Sequence, residues 1–207
     1  MSDIYELERK LHQEGWNHIV GTDEVGRGPM AGPLVVAAVI LPKDCIIEGL
    51  DDSKKLSQKK REQLYPVIME KAIEIQIVFI DEKEVDQINV YQASKKGMMR
   101  AIEQFETAID YVLTDAMPLV LPYPSESIIK GDGKSASIAA ASIVAKVTRD
   151  RYMIMQDKLF PQYGFKQHKG YVTKRHLMAL KKYGPCEIHR LSFEPVKNAL
   201  LEQLSLF

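Results

Sequence analysis

The chain has 207 residues, 45% of them apolar, with 28 basic and 28 acidic residues and a net charge of zero. That suits one large domain, 1–207, and a balanced total points to no anionic partner by itself. Cys45 and Cys186 lie far apart and share no metal-ligand spacing, which argues against a disulfide scaffold or a zinc module.

The N-terminal stretch MSDIYELERKLHQEG is polar and lacks the apolar core of a signal peptide, so a helix over about 3–14 is expected there. A strand at about 17–23 leads into the glycine-rich GTDEVGRGPMAGP, followed by the apolar run Leu34–Leu41. Those eight residues are too few to cross a bilayer and read as a buried strand. The expected setting is soluble and cytoplasmic. Ser57 is a fitting N-cap for a helix to about 72, and Pro66 inside it predicts a kink or break. IEIQIVFI (73–80) alternates as a strand does, helices follow at about 82–88 and 91–106, and a short strand ends at Asp115. SIIKGDGK (127–134) holds a brief strand and a turn, in which Asp132 reads as a turn residue. A long helix follows over about 135–158. Its first half, SASIAAASIVAK, is built of small side chains that let a helix lie close to a sheet. Further helices are expected at about 173–182 and from Pro195 onward, where Phe193, Val196, Leu200 and Leu204 form one stripe. The pattern is a mixed α/β sheet with helices on both faces and a helical C-terminal part over about 165–207. From Lys158 to Cys186 there are seven Lys/Arg and no acid, which makes a basic face suited to a phosphate backbone.

Asp23 and Glu24 put two hard oxygen ligands beside Gly26-Arg27-Gly28, where backbone can approach another molecule closely. Phosphodiester hydrolysis at a pair of divalent cations needs carboxylates converging from several elements. Asp115, at a strand end, and Asp150, on the long helix, could join them. Asp150 shares a helix face with Lys146 and Ser142. Taken singly, each acid has an ordinary reading as a turn, cap or surface ion-pair residue. Neighbours on a regular strand also point to opposite faces, so Asp23 and Glu24 serve one site only if the strand ends or bulges there. The glycines that follow favour such a break.

Several segments resemble the ribonuclease HII family: GTDEVGRGPMAGP (21–33), DDSKKLS (51–57), LTDA (113–116), KGDGKSASIAAASIVAKVTRDR (130–151), FKQHKGYVTKRHL (165–177) and IHRLSFEPV (188–196). They fall in the family's order and span nearly the whole chain. The resemblance implies an RNase H-like fold and Mg²⁺ or Mn²⁺ dependence. It also implies cleavage of RNA in RNA–DNA hybrids and incision at ribonucleotides embedded in duplex DNA. Carried over by position, Asp23, Glu24, Asp115 and Asp150 match the catalytic acids. Gly26, Arg27 and Gly28 match the loop that senses the ribose 2′-OH, the group that separates RNA from DNA. Tyr171 matches the tyrosine that packs on the following deoxyribose. Ser53 and Lys54 match a phosphate-contacting segment. Lys146, His168, Lys169, His189 and Arg190 fall where backbone contacts, or the residues supporting them, stand. The rival readings are another RNase H-fold nuclease, such as a DNA junction resolvase, and a non-catalytic hybrid-binding module. The closing QLSLF (Gln203–Phe207) resembles the peptide by which replication and repair proteins dock on the sliding clamp. Its other reading continues the core stripe of the last helix. The chain stops soon after FEPV, where many relatives carry a longer helical tail, and no added N-terminal substrate-binding domain like that of ribonuclease HIII is expected. A monomer is expected.

Overall fold

The computed structural model describes residues 3–204, with side chains through residue 201. Helix α1 (Glu6–Gln13) precedes β1 (Ile19–Val25) and β2 (Leu34–Ile40). Then come α2 (Gln58–Lys71), β3 (Glu74–Ile80), α3 (Glu82–Glu103), β4 (Tyr111–Asp115) and β5 (Ser125–Ile128). A 3₁₀ turn (Gly131–Gly133) leads into α4 (Ala136–Leu159), and α5 (Phe165–His168), α6 (Lys174–Tyr183) and α7 (Glu194–Leu204) close the chain. The sheet order is β3-β2-β1-β4-β5. β1 is antiparallel to β2 and parallel to β4, and β4 is parallel to β5. Among the described residues, no helix is long and apolar enough to cross a membrane.

The chain divides into two compact units. The first comprises Met1–Val25, Val35–Val78 and Ser94–Val147. Its core packs β2 against the small-residue half of α4 and against Leu64 and Ile68 of α2. The small residues are needed there: a Cβ added to Gly21 of β1 would stand 2.2 Å from the Ser137 carbonyl carbon. The second unit comprises Gly26–Leu34, Phe79–Ala93 and Thr148–Phe207. Its apolar centres are one of Ala31, Met153, Tyr163 and Phe165 and another of Met30, Leu180 and Val196.

Local signals behave as their chemistry dictates, with two exceptions. The Ser57 hydroxyl accepts from the Lys60 N–H at 3.2 Å and caps α2. Asn89, at φ 67°, splits α3 where two helices were expected, and its side chain accepts from the N–H groups of Tyr91 and Gln92. The first exception is Pro66, which does not break α2; the helix is one element through it. Pro66 lies on an exposed side, so the gap it leaves in the hydrogen-bond ladder opens to water. The second is α5, which sequence periodicity did not reveal. It has four residues, set between Gly164 and Lys169 in left-handed conformation, too few to show a period. In α7, Val196 is buried as expected, with Phe193 and Ala199 packed beside it. Gln203–Phe207, as a docking peptide, lies outside the described side chains.

Candidate active site

The first unit gathers three carboxylates. Asp23, Asp115 and Asp132 each offer an oxygen within 4.8 Å of the others. The register explains two of them. β1 and β4 run parallel with Thr22 opposite Thr114, so Asp23 and Asp115 follow side by side near the C-terminal ends of adjacent strands. Asp132 arrives from the 3₁₀ turn after β5, and the Gly131 N–H donates to Asp115 Oδ1 at 2.7 Å to hold that turn against the strand end. A Cβ on Gly131 would come within 2.6 Å of the tip of the Ile138 side chain, which would have to shift.

The charges repel and are only partly answered. Burial holds the Asp23 carboxyl well above the usual carboxylate range, and the charges of Glu24 and Asp115 push it further. The Ser142 hydroxyl and the Glu24 N–H, 2.7 Å from Asp23 Oδ1, pull the other way. Lys54 Nζ donates to Asp132 Oδ2 at 2.9 Å. Partial burial opposes the ammonium, but Asp132, Asp23 and Asp115 together raise its pKa. A divalent cation fits this donor set: hard anionic oxygens, closely spaced and short of positive charge.

The expected bulge at Asp23-Glu24 is absent. β1 keeps its ladder with β2 through Glu24↔Val36 and Val25↔Val35. Strand alternation therefore directs Glu24 away from the face of Asp23, and Glu24 is not one of the trio. The glycines begin only after the ladder ends. Ser53 is buried, and its hydroxyl meets Ser142 Oγ at 2.8 Å, so it backs the serine that supports Asp23. Lys54 is exposed and Lys146 half-buried. The sequence makes Asp132 a turn residue, and it does lie in a turn, but that turn brings it to Asp23 and Asp115. The signal available was an acid between two glycines directly after a strand.

The second unit holds the remaining residues. Asp150 is buried on α4. Beside it Arg149, fully buried, donates to the carbonyls of Pro33 (2.9 Å), Ala31 (3.0 Å) and Lys169 (2.9 Å). Arg190, also fully buried, donates to Gly26 (2.6 Å), Arg27 (3.3 Å) and Gly32 (3.0 and 2.7 Å). Of the two roles the family position leaves open for Arg190, contact or support, the guanidinium takes support: it is spent inside, shaping the loop. Burial and the like charge of Arg149 bring Arg190 down to about 10, still protonated at neutral pH. Glu82 supplies buried counter-charge; burial raises its pKa while Arg190 and Arg149 oppose the rise. Gly26, at φ 100°, is required: a Cβ would lie 2.5 Å from Arg149 Nε and 2.7 Å from the Pro33 oxygen.

Gly28 is different. A Cβ there would meet only the Tyr171 ring, at an ordinary 3.6 Å. Gly28, Arg27 and Tyr171 are exposed, so the glycine loop and the tyrosine form one accessible edge. His168 donates through Nε2 to the Tyr163 oxygen at 2.9 Å and accepts the Gly170 N–H at 3.2 Å, and Lys169 adopts φ 52°. These two build the turn that delivers Tyr171.

The raised Asp23 carboxyl has a stability consequence. A carboxylate whose folded pKa lies above its unfolded value, about 3.9, destabilises the folded state increasingly as pH rises from the unfolded toward the folded value. In chelator at pH 7, Asp23→Asn should therefore be more stable than wild type in urea unfolding. The difference should shrink as pH falls toward 4, and a less stable variant at pH 7 would contradict the assignment.

A profile of the ribonuclease HII family matches residues 20–196. Ribonuclease HII of Enterococcus faecalis is 54% identical over 198 residues, covering 96% of this chain and 78% of that protein. Among solved structures, ribonuclease H2 of Pyrococcus horikoshii OT3 superposes with a TM-score of 0.77 at 24% identity, covering 89% of this chain and 98% of that one. RNase HII of Archaeoglobus fulgidus, in a complex with PCNA, superposes with a TM-score of 0.71 at 26% identity, covering 86% and 95%. The RNase H-like fold expected from the motifs is the fold observed. With more than half of its residues identical to a relative over nearly its whole length, the chain belongs to the ribonuclease HII family and is a metal-dependent endonuclease.

Proposed function

We propose that the enzyme cleaves the RNA strand of RNA–DNA hybrids and incises 5′ to ribonucleotides embedded in duplex DNA, leaving a 3′-OH and a 5′-phosphate. The observation that carries this reading is the exposed edge where the Tyr171 ring stands against Gly28. A glycine that the fold itself does not need leaves room for a sugar to approach the backbone, and the 2′-OH is what distinguishes RNA there. A flat ring beside it would meet the next sugar and favour one lacking a 2′-OH. Lys54, Lys146 and Lys169 would offer positive charge to the phosphates, while Ser53, His168 and Arg190 act by holding the elements that present them.

Asp23, Asp115 and Asp132 would hold the divalent cation, and by the family motif Glu24 and Asp150 are further catalytic acids. Two divalent cations such as Mg²⁺ or Mn²⁺, when bound there, would supply charge stabilisation and an activated water for in-line hydrolysis. The protein's own part is to hold these carboxylates close together, backed by Ser142, Gly131 and Lys54, while the charge of a bound cation would favour the ionised form of Asp23. Residues 1–207 are read as one catalytic domain of a cytoplasmic monomer.

Incubating a duplex that carries one ribonucleotide with Mg²⁺ or Mn²⁺ and mapping the cut tests the reading. A single nick 5′ to the ribonucleotide is expected, lost in Asp115→Asn. Cleavage of an all-DNA junction instead would favour a resolvase-like nuclease.

Gly28→Ala separates function from fold. Its Cβ finds only ordinary contact, so unfolding free energy should stay within about 0.5 kcal/mol of wild type. Cleavage at a lone ribonucleotide should nevertheless fall about tenfold or more, since an added methyl holds the sugar off the backbone. Unchanged cleavage would remove Gly28 from substrate recognition.

The relative solved in complex with PCNA supports a second part of the proposal, sliding-clamp docking through Gln203–Phe207. Deleting residues 203–207 should abolish calorimetric binding to purified clamp and leave cleavage of a short duplex unchanged.

A further inference from the structure

Within the second unit, two histidines are buried side by side with no part in the chemistry described so far. His176 is fully buried and His189 is 2% exposed, and their Nε2 atoms lie 3.1 Å apart. Two nitrogens at that distance need one proton between them, and the outer partners decide where it sits. His189 Nδ1 faces the Cys186 N–H at 3.0 Å, so Nδ1 must accept, and the His189 proton is on Nε2. The Cys186 sulfur, 3.2 Å from the same nitrogen, fits that assignment as a thiol donor. His176 Nε2 therefore accepts from His189, which leaves the His176 proton on Nδ1. That proton points at the Tyr171 carbonyl oxygen, 2.9 Å away. The hydrogen bonds run one way only, from Cys186 through His189 and His176 to Tyr171. Burial carries the two rings down to about 4 and about 3, so both are neutral at working pH and the order of donors is kept.

The far end of this chain is the turn that bears the exposed ring. The Tyr171 N–H donates to the His168 carbonyl at 2.9 Å, so with His176 both backbone groups of Tyr171 are bonded. His168 stacks on His176 with ring centroids 4.3 Å apart. The neighbouring Gly170 carbonyl accepts from the Met30 N–H at 3.0 Å, which ties the turn to the glycine loop.

We propose that His176, held in its Nδ1–H tautomer by His189, is a positioning residue that fixes where the Tyr171 ring stands against Gly28, and with it the preference for a lone ribonucleotide over a continuous hybrid. The inference rests on the reading of Tyr171 given above. Other hydrogen bonds hold the loop itself, so losing the His176 donor frees the ring without dismantling the loop.

The test compares kcat/KM on a single-ribonucleotide duplex and on a continuous hybrid for wild type, His176→Phe, His176→Asn and Tyr171→Ala. Phe fills the space without donor or acceptor, whereas Asn supplies one of each. His176→Phe should lower cleavage at the lone ribonucleotide about tenfold more than on the hybrid, the scale of one lost buried hydrogen bond. His176→Asn should recover most of that difference. Equal losses on both substrates in folded His176→Phe, or no advantage of Asn over Phe, would overturn the proposal. If Tyr171→Ala leaves the substrate ratio unchanged, the reading of Tyr171 fails. If Tyr171→Ala collapses the ratio and His176→Phe does not, only the positioning role fails. Should His176→Phe not fold, the wild-type imidazole ¹⁵N spectrum decides: Nδ1–H on His176 and Nε2–H on His189 are expected, and the opposite tautomers refute the relay.

Discussion

Repulsion among Asp23, Asp115 and Asp132 is the constraint on which the first unit is built. Unit charges within 4.8 Å repel by roughly 3–4 kcal/mol per pair at an effective dielectric near 20. Loops left to themselves would relax that strain by moving apart. Here two of the acids ride on adjacent parallel strands whose register is fixed by a ladder, and the third is clamped by the Gly131 N–H on Asp115. The rigid sheet is what allows the charges to stay close in the absence of a cation. Lys54 offsets part of the charge from an exposed position.

The same constraint explains the first half of α4. Its alanines and serines let the helix backbone reach Gly21, two residues before Asp23, so that Ser142 can reach the Asp23 carboxylate. Ser53 in turn meets Ser142. A bulkier residue at Gly21 would push the helix off the strand and take the serine out of range. The packing and the electrostatics of the site are thus one requirement.

Much of this was legible in the residues. The acid-bearing strand ends, the two-part α3 and the long helix follow from alternation, from helical periodicity and from a run of small side chains. What was not legible depends on registers and turns that no local pattern encodes. Asp132 looks like a turn acid because it is one, and only the pairing of β4 with β5 carries that turn to Asp115. The glycines after Glu24 suggested a bulge, yet the ladder with β2 persists to Val25, since neighbouring strands decide where a strand ends. Nothing local in the sequence singles out Arg149 or His176. Their burial is affordable only because backbone carbonyls and a second histidine are waiting for them, and those partners are distant in sequence.

The buried arginines also settle which way the glycine loop faces. A trans peptide is planar, with its C=O and the following N–H pointing in opposite directions. Arg190 draws the Gly26 and Arg27 carbonyls inward. The N–H groups of Arg27 and Gly28, on the far sides of the same two peptides, are thereby turned away from the guanidinium. Both residues are exposed, and Gly28 lies beside the Tyr171 ring. Backbone donors on that side would complement an acceptor such as a phosphate. Had a carboxylate organised the loop from within, the inward groups would be N–H and the outward ones carbonyls, which would repel a phosphate backbone. That is a physical reason for two arginines at the centre of this unit, with Glu82 as counter-charge.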